Sequence, residues 1–455
     1  MNSKPKLSSK PKLSPFVLVG SRFYDFPSSF PLPSFPPKLP SSFPPKLPPP
    51  ASSPINPLTP KYMYRILIIL SALSATLELR AQGSIDSILQ QIEDNNPTLS
   101  ALRKATEATK IGNHTGLALD DPEVDFAYLW GSPRSVGNRK NIEVSQSFDM
   151  ATLTGAKRRM AKEQDTMADF QYKLDRQEIL LNARQLCIDI IYYNAMHNNL
   201  ATRLEYAEQN AKSQKQRLDK GEGTQVEYNT TMMELTTAKV ALKNNDTDRD
   251  AALLLLQSLN GGNSISLTTA YFPVVSIPAD FKSWYAEAET KSPALAYARQ
   301  EAEVATRQVA ITRADGMPKL TAGFTGEYIN DENLSGFSIG MTIPLWSNKN
   351  KVKQAKAEAV AAKAKAADAK LQFYYNLQSL YQRQAGLHEM AEAYNQTVST
   401  TDNIQLLKKA LDKGAINIIS YTADLRTYYE LKAQQLDANR SWHKAVAEMM
   451  AVVMP

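Results

Sequence analysis

Strict alternation of apolar and polar residues is confined to four short stretches of this chain, and the helical period governs most of the rest. The alternating stretches form two pairs, 123–130 with 141–148 and 320–328 with 337–345. The pattern from Ala156 to Asp219 contains no proline or glycine, which predicts one helix of about 96 Å. Because the hydrocarbon core of a bilayer is only ~30 Å thick, such a helix would project far beyond a membrane.

A second long helical pattern runs from Lys351 to Lys413, with Gly386 as its only glycine and no proline. Both long patterns place mainly apolar or small residues at alternating steps of four and three, which is the seam of a coiled coil. The seams consist of Leu200, Leu204, Ala207, Ala211, Gln214 and Leu218 in the first pattern and of Leu387, Ala391, Tyr394, Val398 and Thr401 in the second. Lengthwise packing of long helices is therefore predicted.

The order of elements occurs twice. Leu218-Asp219-Lys220-Gly221 returns letter for letter as Leu411-Asp412-Lys413-Gly414, and Asn96-Pro97 corresponds to Ser292-Pro293. The offset between the copies falls from 196 residues at these prolines to 193 at the repeated tetrapeptide. Each copy is predicted to be helix, strand, strand, long helix, turn and returning helix.

The repeated tetrapeptide has the composition of a helix C-terminus, with a basic residue in the last turn and a glycine where a left-handed conformation is easiest. We therefore expect it to end each long helix. Thr224 and Asn417 are suited to cap the returning helices, which are predicted over 226–259 and 418–453. Each chain would then form two helical hairpins whose tips lie far from the strands.

The four predicted strands are apolar on one face and small or polar on the other, over the length of a transmembrane β-strand. Trp130, Tyr328 and Trp346 lie near strand ends, as in an interfacial aromatic belt. The alternative is an ordinary sheet that covers a core. The rest of the chain is long helix, which offers no compact core for such a sheet, so membrane strands are favoured.

Four strands in lipid would leave two edges with unpaired backbone groups, which is costly in the absence of water. A closed barrel needs about eight strands or more, so the chain is predicted to oligomerise. The predicted fold class is mainly α with a small membrane β-barrel portion. It combines a long coiled-coil helical barrel with four strands per chain in two internal repeats, and a trimer would form a twelve-stranded barrel.

The net charge of +6 does not describe the folded part of the chain. Residues 1–82 hold ten of the 52 basic residues and two of the 46 acidic ones, so the remainder carries 42 basic and 44 acidic residues. This balance removes the main support for nucleic-acid binding. The same leader holds 17 of the 26 prolines, all before residue 61. It is either a disordered or non-native extension or a proline-rich ligand for a partner.

A second N-terminus begins at Met63, where a short basic region precedes the apolar run 66–75 and then Arg80-Ala81-Gln82. This order predicts a secretory signal peptide with a mature chain from about Gln82; an apolar helix packed in a soluble domain is the alternative. The predicted divisions are 1–62 leader, 63–81 signal peptide, 82–278 first repeat and 279–455 second repeat. After the signal peptide, no apolar run of about 18 to 20 residues could span a bilayer as a helix.

Catalytic chemistry has no support in the sequence. The four histidines lack metal-ligand spacing, and no glycine-rich phosphate loop or nucleophile elbow occurs. Cys187 is the only cysteine, which excludes an intrachain disulfide, and its apolar surroundings predict a buried thiol. Neither an enzymatic activity, a cofactor nor a bound metal is predicted.

Several features of the chain resemble the TolC family of outer-membrane efflux channels. They are the helix starts at Asn96-Pro97 and Ser292-Pro293, the strand ends at Phe148 and 343–345, and the two turn glycines. The likeness extends over residues 84 to 452. It implies a homotrimer in outer-membrane lipid with its helical barrel in the periplasm, docked onto a periplasmic adaptor and an inner-membrane efflux pump. The 155–159 opening of the first long helix is most similar to the cobalt, zinc and cadmium branch.

The resemblance places adaptor docking at the hairpin tips and a pore constriction just beyond them. An acidic residue six positions after the turn glycine is typical, and Glu227 fits it, whereas Ser420 holds that place in the second copy. Solvated helix charges are an equal alternative for the acids. The predicted docking residues are Lys220, Gly221, Gly223, Thr224, Lys413, Gly414 and Asn417, and the constriction candidates are Glu227, Asp424 and Arg426.

The expected function is a passive conduit that exports small molecules or metal ions. A secreted coiled-coil scaffold of the cell envelope explains the helices equally well, but it does not explain four amphipathic strands of membrane length. The cargo stays open among metal ions, small toxic compounds and polypeptides, because generic polar residues would line the conduit.

Overall fold

The computed structural model describes residues 84–329, 332–401 and 403–453. The predicted leader and signal peptide lie outside these residues, as does the expected mature start at Gln82. The first copy contains α1 (Ile85–Asn95), α2 (Pro97–Asn113), β1 (Glu123–Leu129), β2 (Arg139–Phe148), α3 (Met150–Leu153), α4 (Ala156–Asp219) and α5 (Gln225–Leu259). The second contains α6 (Phe281–Lys291), α7 (Pro293–Ala314), β3 (Lys319–Ile329), β4 (Glu332–Thr342), α8 (Lys351–Thr400), α9 (Ile404–Asp412) and α10 (Ile418–Ala451).

The two copies begin their second helices in the same way. Asn96 Oδ1 accepts from the Leu99 amide at 2.8 Å, and Ser292 Oγ accepts from the Leu295 amide at 3.4 Å. In both, proline occupies the first helical turn, where its missing N–H costs nothing because that group has no helical partner. The predicted helix starts are thus confirmed.

The strands form one antiparallel sheet in the order β1-β2-β3-β4, so the pairing of β2 with β3 joins the copies. Its apolar face contains cross-strand rows such as Val124, Val144, Phe324 and Phe337. These side chains are 68, 41, 46 and 90 % exposed. The apolar face of the sheet therefore covers no core within the described chain.

The prediction that the last strand reaches Leu345 was wrong, because β4 ends at Thr342. Pro344 follows two residues later and has no N–H to donate to a neighbouring strand. Ile343, Leu345 and Trp346 nevertheless remain 54, 68 and 81 % exposed. The apolar surface thus continues past the end of the sheet towards α8.

The first long helix has the predicted bounds, and its seam faces inward: Leu200, Ala207, Ala211 and Gln214 are buried. The second long helix corrects the prediction, since α8 ends at Thr400 and α9 starts afresh at Ile404. The seam explains this break. After Thr401 the packed residues are Ile404, Leu407 and Leu411. The step from Thr401 to Ile404 is three residues, where the alternating pattern requires four. Such an irregularity in the spacing disturbs a coiled coil.

Buried residues collect in three separate clusters along the helices. One joins α1, α4 and α5 around Ile92, Cys187 and Leu256; another joins α6, α8 and α10 around Trp284. The third lies between α4, α9 and α10 around Tyr421. None of the described helices has a segment long and apolar enough to cross a bilayer.

Candidate functional site

The two repeated tetrapeptides end their helices with the same hydrogen bonds. The Gly221 amide donates to Leu218 O and the Glu222 amide to Arg217 O, both at 2.9 Å. In the second copy the Gly414 amide donates to Leu411 O and the Ala415 amide to Ala410 O, also at 2.9 Å. This is the Schellman motif, which satisfies carbonyls that a helix end leaves free. It accounts for the repeated sequence.

Glycine is required in these turns for two different reasons. Gly221 and Gly414 have φ of 74° and 69°, which is the left-handed region that other L-residues enter at a cost. A Cβ on Gly223 would instead lie 3.2 Å from Cβ of Arg217, so close approach to the preceding helix favours glycine there. Ile416 takes the equivalent place in the second copy and packs on the cluster around Tyr421.

The returning helices are capped as predicted, but the caps differ. Thr224 Oγ1 accepts from the Glu227 amide at 3.2 Å, and Glu227 Oε2 accepts from the Thr224 amide at 2.8 Å, which completes a capping box. These hydrogen bonds hold the pKa of Glu227 below its ordinary value. Asn417 Oδ1 accepts from the Ser420 amide at 2.8 Å. Ser420 therefore stands where Glu227 completes the first box.

The constriction candidates occupy different environments within one chain. Asp424 is exposed, and Glu227 is engaged in its own helix cap. Arg426 Nη2 lies 3.7 Å from Glu234 Oε2, and Arg203 Nη2 lies 2.7 Å from Glu234 Oε1. The structure thus brings Arg426 to Glu234 of the first hairpin.

Sequence reasoning missed Glu234, whose side chain is only 8 % exposed. A signal was present, because Glu234 lies three residues after Thr231 and four before Ala238, and all three are buried. Such spacing indicates the inward seam of α5. A buried carboxylate needs partners, and Arg203 from α4 and Arg426 from α10 supply positive charge from two other helices.

The cluster around Tyr421 fixes the second tip against the first hairpin. Tyr421, Leu425 and Tyr429 of α10 pack with Leu411 of α9 and Tyr206 of α4. Burial raises the pKa of Tyr429, so its hydroxyl stays neutral. The second tip thus packs on an apolar cluster that includes Ile404, the first residue of α9 after the break.

In the first tip, a lysine near the end of α4 also contacts the start of α5. Lys215 Nζ lies 2.6 Å from Asp219 Oδ1 and 5.7 Å from the ring centre of Tyr228. This cation connects the end of α4 to the start of α5. The described residues contain no group of three or more His, Cys, Asp and Glu side chains that could hold a metal ion.

Residues 284–453 match the model of the outer membrane efflux protein family. No curated protein sequence matches the chain. Among solved structures, the chain is similar to a membrane protein from Pseudomonas aeruginosa (14% identity, TM-score 0.69) over 81% of this chain and 90% of that one.

Two further similar structures are outer-membrane proteins. VceC from Vibrio cholerae matches with 12% identity and a TM-score of 0.67, over 81% of this chain and 96% of that one. The CmeC outer membrane channel from Campylobacter jejuni matches with 13% identity and a TM-score of 0.62, over 81% and 85%. The resemblance to TolC-like channels is therefore confirmed: residues 284–453 are an outer membrane efflux protein domain, and the chain has the fold of these channels.

Proposed function

We propose that this chain is the outer-membrane component of a tripartite efflux system, a passive conduit for small molecules or metal ions. The efflux protein domain and the similar channel structures support an efflux role. The observation that carries the proposal furthest is the sheet. One of its faces is apolar and exposed, and β1 and β4 each pair on one side only among the described strands.

Lipid would cover the exposed apolar face, and other copies of the chain would complete the edges. In a homotrimer, β4 of one copy would pair with β1 of the next, which gives a closed barrel of twelve strands without unpaired backbone groups. The opposite face carries rows such as Asp125, Glu143, Thr325 and Gly336, which suit a water-filled interior. The long hairpins would continue this barrel into the periplasm.

Cell fractionation tests this function against the envelope scaffold. A channel stays in the outer-membrane pellet after washing with high salt and alkali, because lipid covers its strands. A scaffold held by polar contacts is extracted by these washes. Release of most of the protein would contradict the proposal.

Adaptor docking is proposed at the tips, where the two Schellman turns expose Lys220, Lys413 and the flanking backbone. A photo-crosslinking residue at Lys413 should join the chain to a periplasmic adaptor in cells that contain the pump. The same residue at Lys356, near the start of α8, is the control and should not. Adaptor crosslinks of equal yield from both positions would contradict docking at the tips.

The constriction is proposed at Glu227 and Asp424, which threefold symmetry would arrange as rings of carboxylates that attract cations. Single-channel recording of Glu227→Gln and Asp424→Asn should show reduced cation selectivity. Unchanged selectivity and conductance in both variants would remove these residues from the pore. Arg426→Gln should raise the open probability if its contact with Glu234 holds the two hairpins together.

A further inference from the structure

The apolar face of the sheet carries a single charged side chain on the four described strands, Lys140 of β2. Lys140 lies opposite Tyr128 on one side and Tyr328 on the other. The neighbouring cation Arg139 is on the opposite face, where it pairs with Glu327. A lone cation on a face built for lipid is costly unless it reaches water or an anion, so its position needs a reason.

The position of Lys140 along the strand supplies one. Phe148, at the other end of β2, lies eight positions after Lys140, a distance of about 26 Å along a strand. Strand tilt reduces this to about 20 Å across the membrane, close to the height of the apolar band of an outer-membrane barrel. Lys140 therefore lies at one border of the apolar band, at headgroup depth.

Aromatic side chains mark the same border. Tyr128 and Trp130 meet edge to face with ring centres 5.3 Å apart, and Trp130 is 80 % exposed. Tyr128 Oη accepts a hydrogen bond from Asn138 Nδ2 at 2.8 Å. Its own O–H proton is thus left to donate outward. Lys140 and Tyr128 together present donors at the level where an aromatic belt meets lipid headgroups.

The direction of the helices identifies the leaflet. β2 and β4 run from this border towards α3 and α8, so all the described α-helices leave from the other end of the sheet. In the proposed channel those helices lie in the periplasm, and the Lys140 border faces the cell exterior. The outer leaflet on that side carries lipid A, a glycolipid with phosphate groups.

We propose that Lys140 and Tyr128 form a binding site for a phosphate group of lipid A. The ammonium of Lys140 extends to the headgroup while its stem stays on the apolar face. The phosphate accepts hydrogen bonds from this ammonium and from the Tyr128 hydroxyl, and these bonds are strong because the acceptor is charged. This site rests on the proposed outer-membrane channel and would occur once in each copy.

The test compares lipid A retention by the purified full-length protein, counted by native mass spectrometry after reconstitution with lipid A and phosphatidylglycerol. Lys140→Gln should retain about fivefold less lipid A than wild type, the effect of one basic residue near an anionic surface. Lys140→Arg should retain as much as wild type. The control Lys243→Gln removes an exposed lysine of α5 and should also behave as wild type.

The site alone would be overturned by equal lipid A retention by Lys140→Gln and wild type, or by equal retention of lipid A and of its dephosphorylated form by wild type. Preferential loss of phosphatidylglycerol in Lys140→Gln would also overturn it. Conductance in phospholipid vesicles without lipid A separates the lipid A site from the proposed channel function, because all variants should insert and conduct there. Failure of the wild type to insert into any vesicle would overturn both.

Discussion

Phe337→Arg tests whether the apolar face of the sheet meets lipid. Phe337 lies midway along β4, opposite Phe324, and its side chain is 90 % exposed in the single chain. If that face meets solvent, a charged residue is harmless or even improves solubility. If it meets the bilayer centre, the arginine must be buried in hydrocarbon.

The magnitude follows from the position. Arginine at the midplane of a barrel costs about 2–4 kcal/mol, and the lost burial of phenylalanine adds about 1.5–3 kcal/mol. Three copies in a trimer would together lose about 10 kcal/mol or more. This loss is comparable to the whole stability of a typical domain, so Phe337→Arg should fail to accumulate in the outer membrane.

The matched control is Thr325→Arg. Thr325 lies on β3 beside Phe324 and points to the opposite, polar face, in the row of Glu143. Quantitative blotting of outer-membrane pellets should show this variant at wild-type level and Phe337→Arg strongly depleted. Equal amounts of Phe337→Arg and wild type in the washed pellet would refute the lipid-facing assignment.

Three further predictions concern the helical part. Gly221→Ala should lower the thermal midpoint of unfolding, because alanine costs about 1 kcal/mol at the left-handed φ of this position. Gly386 lies in the interior of α8 with open space around it, so Gly386→Ala should raise the midpoint. The opposite order would contradict the turn assignment. Cys187 is 0 % exposed and burial raises its pKa to about 12, so a thiol reagent at pH 8 should label it only after unfolding. Burial lowers the pKa of His443 to about 4, whereas the unfolded chain binds a proton at this residue below about pH 6.5. The free energy of unfolding should therefore fall as the pH drops from 6.5 to 4. Urea titrations of His443→Gln should show a smaller fall.

The elements that sequence predicts best are those whose signals are local. The bounds of α4 follow from 64 residues without a helix breaker and from the glycine that ends them. The caps at Thr224 and Asn417 follow because a capping side chain acts within three residues of its own position. The four strands were recognisable because alternation with period two distinguishes them from helices.

The missed features depend on contacts between distant segments. The break before α9 was hidden because no proline or glycine marks it, and only the restart of the packed positions at Ile404 reveals it. The contact of Arg426 with Glu234 joins residues almost 200 positions apart, in different copies of the repeat. The proposed partner of Lys140 is a lipid, which the chain can indicate only through a charge on an otherwise apolar face.

Native mass spectrometry of the protein purified from outer membranes, combined with conductance of the same sample in a planar bilayer, tests the central claim most directly. The proposed channel predicts a complex of three copies that forms stable ion-conducting pores. A stable monomer in detergent that produces no conductance would contradict it.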